Sequence, residues 1–152
     1  MGLNAERDYL IFERVDLNEG LSSGTISKGA LFCTRQALFY VPADSITALG
    51  TTVTHTHTEQ AQMATLEALR NRLAAADASL PAIEGWLQAI LADQPTRRVY
   101  PVHELKTFKV QVGFWIIGGV TLTHRDGPRQ VLNLQPRAAR QQLATFYASA
   151  LT

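Results

Sequence analysis

The sequence predicts an α+β domain: a small antiparallel, partly open β-barrel capped by a C-terminal helix, with a helical hairpin inserted among the strands. Three observations carry this reading. Apolar runs of strand character lie only a few residues apart, too close for the crossovers that parallel pairing needs. From Thr58 the apolar period changes to three and four and stays so through two helix-length segments. After the last strand an amphipathic segment closes the chain. With 152 residues, 46% of them apolar and 18% charged, the chain is sized for a single domain with one core spanning residues 1–152.

Taken in order, YLIFERV at 9–15 is rich in aromatic and β-branched residues and reads as a strand, with the polar DLNEGLSSG as the loop after it. GALFCTRQALFYVPA holds two apolar runs around Arg35-Gln36, where a tight hairpin is expected. Alternation puts Leu31 and Cys33 on one face and Phe32 and Thr34 on the other. Pro42 is expected to end the second run, since proline cannot donate to a ladder.

Met63, Leu66, Leu69 and Leu73 then fall on one face of a helix running to about Ala76. Pro81 suits the first turn of a second helix, where Ile83, Trp86, Leu87, Ile90 and Leu91 make an apolar stripe. The pair forms an insertion at about 57–93. Strand character returns in RRVYPVHELKTFKVQV, GFWII and VTLTHR, with Asp126-Gly127 as a hairpin turn and VLNL as the last strand. Pro136 opens a final helix whose Ala139, Leu143, Phe146, Tyr147 and Ala150 share one side and should pack on the sheet.

KGALFCTRQALFYV, Lys28 to Val41, resembles the hairpin of GRAM domains and bacterial pleckstrin-homology-like domains. PVHELKTFKV is similar to that family's next strand, and TLTHRDGPRQVLNL with the terminal helix to its closing hairpin and cap. The resemblance leaves residues 44–96 outside it. It implies a split barrel used to bind phosphoinositides, peptides or protein surfaces, and seldom catalytic by itself. Phosphoinositide-binding members carry several cations along the first hairpin; here only Lys28 and Arg35 are offered as anion or lipid candidates.

In TTVTHTHTEQA, His55 and His57 lie two apart, so in an extended strand both would face one metal ion, with Glu59, His103 or His124 as further ligands. Against this, Thr56 and Glu59 have the spacing of a helix capping box, which would put His57 in the first helical turn. The reading adopted is a strand end followed by a helix start. No metal and no cofactor is expected. Cys33, inside an apolar strand, reads as a buried packing residue rather than a nucleophile. His103 beside Glu104 and His124 near Asp126 read as solvent-facing strand ends. No phosphate loop, dinucleotide fingerprint, nucleophile elbow or zinc-protease motif occurs, and GTISKG lacks the hydroxyl and helix of a phosphate loop.

Lys plus Arg number 14 against 13 Asp plus Glu, so no global field draws nucleic acid. The pairs Arg70/Arg72, Arg97/Arg98, Arg125/Arg129 and Arg137/Arg140 read as solvated ends of helices and hairpins. One cysteine excludes an internal disulfide, and the start MGLNAERDYL does not read as a secretory signal, so a cytoplasmic location is expected. In VGFWIIGGV the consecutive Phe114, Trp115, Ile116 and Ile117 cannot all face one side of a sheet. Their cover is the helical hairpin, a bilayer surface or a second copy, with a homodimer through this stretch favoured. The function expected is a noncatalytic interaction module, binding protein partners or itself; the alternative is a metal-dependent enzyme or metal-binding protein using His55 and His57, and a membrane-surface module ranks last.

Overall fold

The computed structural model describes residues 2–18, 25–47, 57–92, 97–113 and 119–152, with side chains described outside 25–27, 42–47 and 57–64. Strands β1 (Tyr9–Asn18), β2 (Thr25–Thr34) and β3 (Ala37–Thr47) precede helices α1 (His57–Ala74) and α2 (Leu80–Leu91). Then come β4 (Val99–Pro101), a single 3-10 turn (Val102–Glu104), β5 (Leu105–Val110), β6 (Gly119–His124), β7 (Arg129–Leu134) and α3 (Arg137–Phe146). All strands join one antiparallel sheet in the order β4-β3-β2-β1-β7-β6-β5.

That order has a geometric consequence. The edge strands β4 and β5 are consecutive in the chain and joined by three residues, Val102–Glu104. Three residues reach no more than about 10 Å, whereas the edges of a flat seven-stranded sheet lie about 29 Å apart. The sheet therefore rolls until its two edges come near each other. It does not close: no ladder joins β4 to β5 among the described residues. Three register shifts help it bend, one in β1 between Phe12 and Val15, one where β2 meets β3 at Lys28/Gly29 and one in β5 between Leu105 and Thr107.

Rolling creates an inner face, and its side chains follow the alternation of each strand. Leu10, Val15 and Leu17, Leu31 and Cys33, Leu38 and Tyr40, Tyr100, Phe108, Leu122 and Leu132 all point inward and are buried. Helix α3 fills the remaining space with Leu143, Phe146 and Tyr147. The Tyr147 ring lies 5.1 Å from that of Phe108, and its hydroxyl donates to the Thr34 carbonyl at 2.5 Å. Across the interior Tyr100 donates from β4 to Gln130 Oε1 on β7 at 2.6 Å.

The outer face of β2 and β3 carries Phe32, Phe39 and Val41, and the helical hairpin covers it with Leu69, Leu73, Ile83, Leu87 and Leu91. Thr34 ties the two layers: its hydroxyl accepts from the turn amides of Gln36 and Ala37 and donates to Glu84 Oε2 on α2 at 2.7 Å. The inserted helices thus belong to a second core rather than to an appendage.

Three expectations are corrected. Pro42 does not end its strand: β3 continues to Thr47, because Pro42 sits opposite Gly29 at the bulge where the ladder skips a residue and a missing N–H costs little. Strand β1 extends through Asp16, Leu17 and Asn18, since Val15 and Leu17 still alternate inward against β7. Helix α1 ends at Ala74, two residues early. As expected, Arg35-Gln36 and Asp126-Gly127 lie in hairpin turns, and Pro136 precedes α3. Because Leu87 is fully buried between α2 and the sheet, Leu87→Ala should lower unfolding free energy by about 2–5 kcal/mol. Chemical denaturation should remain a single transition, and limited proteolysis should not release residues 57–92 from a folded remainder.

Candidate functional site

The sheet and α3 meet at the β5–β6 connection, and two arginines organise that junction. Arg140, in the second half of the first turns of α3, is 1% exposed. Its Nε donates to the Gln111 carbonyl at 2.6 Å and its Nη2 to the Gly113 carbonyl at 2.8 Å. Nη1 donates to the Leu134 carbonyl at 3.0 Å and to Gln135 Oε1 at 2.5 Å. Among the described residues no carboxylate pairs with it. The buried charge is balanced instead by carbonyl dipoles converging from β5, β7 and the chain leading into α3. Arg137, exposed, donates from Nε to the carbonyl between those two, Val112, at 2.8 Å.

Three successive carbonyls, 111 to 113, are thereby held by two side chains of one helix. On the return side Gly119 has φ +104, and a Cβ there would come 2.5 Å from Arg140 Cδ. Only glycine fits, for conformation and for space. Gln111, Val112 and Gly113 are themselves exposed, and at 39% Val112 is the exposed large hydrophobic residue of the described chain. The two arginines thus tie down the arm that leaves β5, and the Gln111 amide donates across to the Gly119 carbonyl at 2.7 Å. Phe114, Trp115, Ile116 and Ile117 lie outside the described residues.

The reading of Arg137/Arg140 as a solvated helix end is corrected for Arg140, whose long side chain turns inward because the strand ends below α3 present carbonyls without partners. Two features of the sequence signal it. Acidic residues favour the first turn of a helix, yet α3 begins with arginines and no acid, and a glycine pair follows an apolar run at the point where the strand should begin.

The other candidates are held apart. Lys28 is exposed on β2 opposite Asp16, beside a cleft of about 550 Å³ at the β1 bulge that Glu13, Arg14, Asn133 and Gln135 also line. Arg35 follows seven residues later, about 23 Å along an extended strand. It is engaged in packing: its guanidinium lies 3.7 Å from the Phe146 ring centre, and it donates to the carbonyls of Phe146 and Arg7. His57 opens α1 and Glu59 lies in its first turn, in keeping with a helix start. Their side chains, and His55 entirely, fall outside the described residues. Among the described residues no three of His, Cys, Asp and Glu gather as a metal site.

His103 is exposed, but His124 is not the solvent-facing residue expected: it is 6% exposed. Its Nδ1 accepts from the Asp126 amide at 3.1 Å, which puts the ring proton of the neutral form on Nε2. That atom is 3.5 Å from Glu104 Oε2, within ion-pair range yet too long for a hydrogen bond. The histidine faces inward because Val120, Leu122 and His124 continue one alternation along β6. Cys33 is fully buried, as expected, and burial pushes its thiol far above the usual range; burial does the same to the Tyr147 phenol beside it.

No protein family, no characterised protein and no solved structure matches this chain. None of the described helices is long and apolar enough to cross a membrane.

The buried thiol and phenol should make the fold sensitive to base. Both stay protonated in the folded chain but ionise once unfolded, so stability present below the ordinary thiol value of 9.0 is lost as pH rises past it. The denaturation midpoint should fall above about pH 9, less steeply in Cys33→Val. At pH 8 a thiol reagent should label Cys33 only under denaturing conditions. Gly119→Ala should cost about 2 kcal/mol or more through strain and contact. In Arg140→Ala the contact disappears, so the two substitutions together should cost less than the sum of each alone, as a double-mutant cycle of denaturation measurements would record.

Proposed function

We propose that this chain is a noncatalytic interaction module of pleckstrin-homology-like fold whose contact element is the β5–β6 connection, with Phe114, Trp115, Ile116 and Ile117 at its centre. The rolled seven-stranded sheet, unclosed at the β4/β5 seam and filled by α3, supports the split-barrel part of this reading. So does the hairpin of Lys28 to Val41, which carries the GRAM-like resemblance. The single observation that carries the function is the clamp: Arg137 and Arg140 hold the carbonyls of residues 111–113 at an exposed strand end, where the sequence from Val112 to Val120, which has no charged side chain, begins.

The inserted helices are engaged on β3 and on the outer face of β2, so their apolar stripes are already covered. A module of this kind works by contact, with a protein partner or with another copy of itself, and the buried unreactive Cys33 fits a reducing cytoplasmic setting. Self-association is the form that the chain alone can test. Replacing Trp115 and Ile117 together by Lys should give a folded species of smaller mass by light scattering. A wild-type chain that stays monomeric at high micromolar concentration would refute the dimer, and unfolding of the double variant would put these side chains in the core.

A further inference from the structure

At the far end of β6 from Gly119, the β6–β7 turn lies against the 3-10 connection that spans the seam between β4 and β5. The Arg125 amide donates to the Glu104 carbonyl at 3.1 Å, and Arg125 Nη2 donates to the His103 carbonyl at 3.1 Å. His124 stands between the two segments, buried, with its ring nitrogens in unlike settings. Nδ1 is used inside the turn, where it accepts from the Asp126 amide. Nε2 is buried without a hydrogen-bond partner among the described residues and lies 3.5 Å from Glu104 Oε2. A buried N–H held just out of reach of a carboxylate is an uncommon arrangement, and a proton would change it.

We infer that His124 is a proton-operated latch between the β6–β7 turn and the seam connection: neutral, it holds the turn through Nδ1; protonated, it releases the Asp126 amide and pairs with Glu104. This is independent of the contact element proposed above. An imidazolium carries a proton on both nitrogens and accepts nothing. Gaining a proton therefore sets an Nδ1–H against the Asp126 N–H at 3.1 Å, and that bond cannot survive. On the other side the same proton turns the approach to Glu104 into an ion pair, and the half-exposed carboxylate has room to move closer. The charges around the ring are mixed. Glu104 and Asp126 favour the cation, whereas Arg125 in the turn and Arg97 and Arg98 just before β4 oppose it. Arg97 Nε lies 3.9 Å from where a Gly127 side chain would begin, and Arg98 is buried with its guanidinium over the Tyr40 ring. His103, Lys106 and Arg129, on the same segments, are exposed. Histidine is the side chain that changes charge between about pH 5 and 8, so a modest change of acidity operates such a device. Because Val102–Glu104 joins the two edges of the sheet, proton uptake moves a bond from the tip of one hairpin to the connection on which the roll depends.

The test is a heteronuclear NMR titration of the full chain from about pH 8 to about pH 5. At the upper end His124 should be the Nε2–H tautomer. As pH falls, Nδ1 should gain its proton, while the Asp126 amide shifts with the same midpoint and loses hydrogen-exchange protection at least about tenfold. Glu104→Gln should keep the tautomer and lower that midpoint by about one unit. Asp126→Ser, which removes the carboxyl of the reporting residue, should keep the coupled response of the residue-126 amide, and His124→Gln should abolish it. An Nδ1–H tautomer at the upper end, a His124 that stays neutral to the lower end, or an amide response that outlasts His124→Gln overturns the inference. Should His124→Gln fail to fold, Asp126→Ser decides: an amide that stays still there while His124 titrates overturns it equally.

Discussion

Everything in this fold follows from a short connection between distant strands. Because three residues join the two edges of a seven-stranded sheet, the sheet has to roll, and rolling separates an inside that must be filled from an outside that must be covered. The inside is too small for a second layer of sheet and is filled by one short helix, α3, through Leu143, Phe146 and Tyr147. Outside, β2 and β3 carry Phe32, Phe39 and Val41, which the hairpin inserted between β3 and β4 covers. The edge of β5 is partly shielded too: Phe108 donates to Thr152 Oγ1 at 3.0 Å and accepts from the Thr152 amide at 2.8 Å.

Placing α3 across the end of the roll brings its first turns over strand ends whose carbonyls have no ladder partners. The Leu134 carbonyl is buried there and those of Gln111 and Gly113 partly so, and an unsatisfied buried carbonyl is costly. Arg140 answers several at once, since a guanidinium carries five donors in a rigid fork. Burying its charge is itself unfavourable, and offset only while all the carbonyls converge. The junction is therefore all-or-none: displacing one arm of the connection would leave both a buried cation and strand carbonyls without partners. A clamp of this kind holds a surface stretch rigidly without using that stretch's own side chains.

The sequence makes the layout legible wherever a local pattern decides it. Alternation separates Leu31 and Cys33 from Phe32 and Thr34, and Leu31 and Cys33 do fall in one core and Phe32 in the other. The three-and-four spacing of Leu66, Leu69 and Leu73 marks the covering face of α1, and the break at Arg35-Gln36 marks the hairpin. What fails to show is whatever depends on a partner distant in sequence. Pro42 reads as a stop until a bulge opposite Gly29 accommodates it. Arg140 reads as a solvated cation because its acceptors lie at 111, 113, 134 and 135. His124 reads as a hairpin-tip residue, although the alternation of β6 turns it inward. Of the candidate site, the apolar stretch is visible in sequence and the device that mounts it is not.

Several buried polar groups among the described residues are committed to holding the domain together. Tyr147 and Tyr100 spend their hydroxyls on cross-interior bonds, Thr34 couples turn to helix, Arg35 caps the end of α3, and Cys33 is sealed beneath Tyr147. A side chain already bonded on all sides in a packed interior is poorly placed to move a proton or attack a substrate, because each such step would first break a bond that stabilises the fold. At the end of the roll where α3 meets β5 and β6 the same holds for Arg137 and Arg140, whose donors tie the backbone leaving β5 to the helix.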